Sequence, residues 1–138
     1  MTMREGLFQP DRFERYVPVM AMEQRDQLLL TVPYLCQYNN CSVVVTLLEH
    51  PSASLLYSDC SLTLGDREVS KVAGGGGPHE HRFRFIVTPP IPDEQATRLP
   101  MTFHVDPGVP PLSRRRETEP ITLITPTTIQ FHGGSVGG

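Results

Sequence analysis

The sequence predicts an all-β protein: an antiparallel β-sandwich of about seven to eight strands, immunoglobulin-like or C2-like, with extended Pro-rich N- and C-terminal arms. Three observations carry this. Short runs of Leu, Val, Ile and Phe are each closed by Pro, Gly or Asn, leaving almost no room for a helix. The run Glu80 to Thr88 alternates, with His81, Phe83, Phe85 and Val87 on one face and Arg82, Arg84 and Thr88 on the other, the period of a strand with one buried and one wet face. The 14 Pro are about twice the average usage. Proline is excluded from helix interiors and central strands, so these residues belong to loops, edges and tails.

Taken in order, residues 1–24 read as a lead-in arm with scattered apolar anchors, Phe8, Phe13 and Tyr16 among them. Pro10 and Pro18 allow at most a short helical turn there. Strands follow over Gln27 to Val32 and Cys41 to Leu48, with a reversal at Asn39-Asn40, because Asn tolerates the left-handed turn conformation. A third run, Ser54 to Leu64, puts Cys60, Leu62 and Leu64 on one face and ends at Gly65-Asp66. Glu68 to Val72 is a short strand leading to a flexible glycine tip at Gly74 to Gly77, before the Phe83/Phe85 strand. Leu99 to Val105 alternates again, with Met101, Phe103 and Val105 in register. Pro107 to Arg116 reads as an exposed polyproline-like linker. Two further strand-like pieces, Pro120 to Thr125 and Thr127 to His132, precede a Gly-rich end.

The length, 138 residues, suits one domain. Its expected parts are an arm over 1–24, a sandwich core over 25–106, and a linker with C-terminal strands or arm over 107–138. The piece Ile121 to Pro126 followed by Gly133-Gly134 resembles the start of a TIG-type immunoglobulin-like domain, and the strand pattern from Gln27 to Leu64 resembles C2-like modules. Both resemblances imply a fold and carry no function.

Charge and composition narrow the function classes. Twelve basic against fifteen acidic residues give a net charge of −3, which supplies no field for a polyanion. No apolar run approaches the roughly 20 residues of a membrane span, and Met1 to Gly6 lacks the apolar centre of a signal peptide. The expected location is therefore intracellular, in the cytoplasm. Cys36, Cys41 and Cys60 are an odd set in such a chain, which favours reduced thiols over a disulfide framework.

No constellation argues for catalysis or a cofactor. The Gly74 to Gly77 run lacks the Gly-Lys-Ser/Thr of a P-loop. There is no Gly-x-Ser-x-Gly elbow, and Cys36 and Cys41 are too far apart for the redox or zinc pairs that use two intervening residues. His79-Glu80-His81 has chelating spacing, since alternate residues of a strand project to one side, and His104 or Asp106 would have to complete a metal site. Arg114-Arg115-Arg116 beside the Pro-rich segment could dock on an acidic surface, or direct a kinase to Thr118.

The expectation is thus a non-enzymatic interaction module, a structural or adaptor subunit of a larger protein assembly, with homo-oligomerisation left open. Its expected partner-binding residues are Arg114, Arg115, Arg116, Ile121, Leu123 and Phe131, on an arm that adds to a partner's sheet slightly in preference to its own. The alternatives are a nucleic-acid-binding sandwich using Arg82, Arg84 and Arg114 to Arg116, and a metal-binding sandwich around His79 and His81.

Overall fold

A computed structural model describes residues 9–55, 58–72, 74–106 and 127–131. Among them the chain is all-β, as the hydrophobic alternation predicts. Its strands are β1 (Phe13–Arg25), β2 (Leu28–Tyr38), β3 (Ser42–Glu49), β4 (Asp59–Thr63), β5 (Glu68–Val72), β6 (Glu80–Thr88), β7 (Met101–Asp106) and β8 (Thr127–Phe131), with one 3-10 turn at Asp93–Gln95. Every pairing among the described residues is antiparallel. One sheet has the order β1-β2-β3-β6-β5 and the other β4-β7-β8.

One apolar core joins the two sheets. Leu30, Val32 and Leu35 of β2, Val44 and Leu48 of β3, and Phe83, Phe85 and Val87 of β6 bury their side chains in the same cluster as Cys60 and Leu62 of β4, Met101, Phe103 and Val105 of β7, and Ile129 of β8. The face assigned to β6 from the sequence is the observed one: Phe83, Phe85 and Val87 are buried, while Arg82 and Arg84 are exposed. Cys60 and Leu62 likewise alternate with exposed Asp59, Ser61 and Thr63.

Two strands depart from the expected boundaries. The segment 13–24, expected to be part of an arm, pairs along β2 and forms an outer strand of the larger sheet. The second strand does not stop at Val32 but runs to Tyr38. Pro33 is accommodated there because the register slips between Thr31 and Leu35, and a bulge is where a strand tolerates the missing N–H. The facing strand β1 slips between Pro18 and Ala21, with Met20 at φ 54. That left-handed conformation is one a non-glycine residue adopts at a cost of roughly 1–3 kcal/mol.

The connections use side chains as clamps. Asn39 and Asn40 form the expected reversal between β2 and β3, closed by the Tyr38 N–H donating to the Cys41 carbonyl at 2.8 Å. Their side chains also hold the preceding chain. Asn40 Oδ1 accepts from the Asp11 N–H at 3.1 Å, Asn40 Nδ2 donates to the Gln9 carbonyl at 3.0 Å, and Asn39 Oδ1 accepts from the Arg12 N–H at 2.9 Å. The loop between β6 and β7 is fastened through Ser42, whose hydroxyl accepts from the Ile91 N–H at 2.8 Å and donates to Gln37 Oε1. Gln37 Nε2 in turn donates to Asp93 Oδ1 at 2.9 Å.

The glycine run is not the free tip that the sequence suggests. The Arg82 N–H donates to the Gly75 carbonyl at 2.9 Å. A Cβ on Gly74 would overlap the Arg82 backbone, and one on Gly76 the Glu80 backbone. Glycine is required at these two positions by the close approach of two stretches of this chain.

At the C-terminal end, Thr127 to Phe131 adds to this chain's own sheet, pairing with β7 from Val105↔Thr127 to Met101↔Phe131. In this single chain the piece takes the domain's own sheet, the other of the two expected placements. The Ile121 to Ile124 piece lies outside the described residues, as do Pro107 to Arg116 and Thr118.

Candidate interaction surface

The outer face of the five-stranded sheet, away from the core, is the unusual surface of the molecule. A sheet covered on one side normally turns polar residues to water on the other. Here β2 alternates Tyr34, Cys36 and Tyr38 outward against Leu35 and Gln37 inward, and β3 turns Val43 outward where Ser42 and Val44 are buried in the interior. A second apolar cluster results on this face, made of Cys41, Val43 and Ile86 with Cys36 and Tyr38 packed on it. Val43 and Ile86 are each only 6% exposed although they lie outside the main core.

Strand β1 extends this face with rings. Phe13 and Tyr16 are 42% and 64% exposed, and Met20 and Met22 are 64% and 58% exposed on the same strand. The rings are ordered against one another: Phe13 lies 4.8 Å from Tyr16 and 5.6 Å from Tyr38, and Tyr16 meets Tyr34 edge-to-face at 5.3 Å. These are favourable aromatic geometries. Together with Arg84 and Ile86 they line an open groove of about 400 Å³. Pro10 forms part of its wall, held there by the Asn39 and Asn40 clamps on residues 9–12.

The thiols on this face are protonated at neutral pH. Burial pushes Cys36 and Cys41 above their ordinary values, and Arg84 partly offsets the effect at Cys36. Cys60, in the main core, is pushed up to about 12 by burial. A thiol that ionises so reluctantly is packing rather than a nucleophile.

The sequence-predicted site residues are distributed unevenly around this surface. Arg82 and Arg84 both lie on it, two residues apart on β6. Arg82 is 3.8 Å from Glu80, whereas Arg84 is flanked across the strands by Val45 and Val72. Arg114, Arg115, Arg116, Ile121 and Leu123 lie outside the described residues, and Phe131 is placed on β8 of the other sheet.

The histidines have structural partners. His79 Nδ1 donates to the Ala53 carbonyl at 2.9 Å, and His81 Nδ1 to the Leu55 carbonyl at 3.0 Å with Ser58 Oγ at 3.2 Å. A carbonyl only accepts, so each Nδ1 carries the proton. Together they pin Ala53, Leu55 and Ser58 to the start of β6, and the His81 ring stacks on Phe83 at 4.4 Å. His104 lies on β7 in the other sheet, with Asp106 at that strand's end. Among the described residues no three His, Cys, Asp or Glu side chains gather as a metal site would require.

The aromatic groove was missed from the sequence for two reasons. Pro10 and Pro18, read as breakers, assign Phe13 and Tyr16 to an arm, and a second strand ended at Val32 hides the alternation Tyr34, Cys36, Tyr38. That alternation was the available signal.

No helix among the described residues is long and apolar enough to cross a membrane. Compared with known protein families, curated proteins and solved structures, the chain matches none.

Proposed function

We propose that this chain is a non-enzymatic protein-binding β-sandwich, a structural or adaptor subunit of a larger assembly, and that it docks through the outer face of its five-stranded sheet. The single observation that carries this is the continuous apolar and aromatic surface from Phe13 and Tyr16 to Ile86, on a face that would otherwise be polar. Exposed aromatic patches of this kind mark binding surfaces, and tyrosine and arginine are enriched where interfaces hold most of their energy.

The immunoglobulin-like form is part of the proposal. From β2 onward the order β2-β3-β6-β5 beside β4-β7-β8 corresponds to strands A-B-E-D and C-F-G of a constant-type immunoglobulin sandwich, with β1 as an added outer strand. Such sandwiches host many functions, so the fold is compatible with an adaptor role without requiring it.

The test is capture from native extract with the full chain as bait, wild type beside a Tyr16→Ser/Tyr34→Ser variant of unchanged melting temperature. The proposal expects specific co-purifying chains that the variant loses. A set of partners retained in full by the variant would place the interface elsewhere and remove the proposal.

A further inference from the structure

We infer that the groove selects an apolar peptide segment of a partner protein that carries one carboxylate, received by Arg84. This rests on the docking face proposed above and adds the chemistry of its occupant. The groove's walls are aromatic and aliphatic, and Arg84 is its one charged lining residue among those described. Among the described residues Arg15, Arg25, Lys71 and Arg82 are matched by carboxylates; Arg12, Arg67, Arg84 and Arg98 are not, and of these Arg84 alone lines the groove. Arg84 holds no carboxylate among the described residues. Its cross-strand neighbours, Val45 and Val72, have nothing to offer a guanidinium.

A cation set among apolar walls favours a specific occupant. Once a segment covers the groove and excludes water, a charge-assisted hydrogen bond to Arg84 strengthens, while an uncharged segment leaves the guanidinium desolvated and unmatched. A carboxylate also fits the planar fork of arginine in two-point fashion. The rings of Tyr16, Tyr34 and Tyr38 supply apolar area together with hydroxyls able to meet the polar backbone of the bound segment. The groove is built before a partner arrives, because the Asn39 and Asn40 side chains hold the stretch that bears Pro10.

The experiment is selection of a random dodecapeptide phage library on the immobilised full chain, with the Tyr16→Ser/Tyr34→Ser chain as counter-target, followed by titration of the best synthetic peptide. The expected winners combine two or more apolar residues with an Asp or Glu. Replacing that acid by its amide, or Arg84 by Gln, weakens binding by roughly tenfold or more, and combining the two changes costs no more than either alone. Because the amide peptide is tested on the unaltered chain, the result stands even if Arg84→Gln impairs folding.

Groove-dependent winners without an acidic preference overturn the role of Arg84 and leave the docking face standing. Failure to enrich any peptide that depends on Tyr16 and Tyr34 overturns both. A chain that forms dimers in sedimentation, lost on Tyr16→Ser/Tyr34→Ser, makes a second copy the occupant and overturns the peptide. Winners displaced by single-stranded nucleic acid, with a strong salt dependence, overturn it in favour of a polyanion.

Discussion

Phe85 of β6 and Phe103 of β7 meet across the two sheets with ring centroids 6.0 Å apart and planes inclined at 62°. Both are fully buried, and the contact ties an interior strand of the larger sheet to the central strand of the smaller one. Either ring replaced by Ala should cost about 3–5 kcal/mol. In a double-mutant cycle the pair should show a coupling of about 0.5–1.5 kcal/mol beyond burial. Chemical denaturation of the four proteins measures this, and additive losses would mean that the rings do not support one another.

The glycine run should separate by position. Gly74→Ala and Gly76→Ala force a Cβ into the backbone of Arg82 and Glu80, and should destabilise by about 1–3 kcal/mol or more. Gly75→Ala and Gly77→Ala point into open space and should change stability by no more than about 1 kcal/mol. Equal melting temperatures for all four variants would show that the stretch is not held against β6.

Thr46 is fully buried, and its hydroxyl has no hydrogen-bond partner among the described residues. Val keeps the shape and removes the unsatisfied polar group. Thr46→Val should therefore stabilise the protein by roughly 1 kcal/mol, read from the denaturant midpoint. A loss of stability of similar size would reveal a partner for the hydroxyl.

Acid should weaken the tether of the loop between β6 and β7. Hydrogen bonds from Arg15 and then Gln37 hold the Asp93 carboxyl below its ordinary value of 3.8. The folded state thus binds this proton less readily than the unfolded chain. The stability contribution is complete above about pH 5 and is lost as pH falls through the folded-state value. Wild type should exceed Asp93→Asn in denaturant midpoint at pH 7, and the gap should narrow below about pH 4. A gap unchanged down to pH 2 would show that the carboxylate charge contributes nothing.

Thiol labelling should sort the cysteines by cover. Cys36 is half-buried at the groove, while Cys41 and Cys60 are buried. At pH 8 the folded chain should release one thiol's worth of signal first, absent in Cys36→Ser, with Cys60 last because its ionisation is pushed up to about 12. Prompt reaction of Cys60 would contradict the packing of β4 against the core.

The local alternation of residue types was sufficient for the all-β class, for the span and inward face of β6, for the span of β5, and for the inward sets Cys60/Leu62 and Met101/Phe103/Val105. Side chains in a strand alternate by geometry, so the face that must leave water is written in the order of residues. Strand partners are not written there, because pairing joins residues far apart in sequence and any apolar strand can satisfy another. Only the tertiary structure turned Phe13 to Arg25 from an arm into a strand, carried β2 past Pro33 on a bulge, and brought the Gly74 to Gly77 stretch against β6. The candidate groove belongs to that second category. Phe13, Tyr16, Tyr34, Tyr38, Arg84 and Ile86 come from three strands, and they share one surface because long-range pairing sets β1, β2, β3 and β6 side by side.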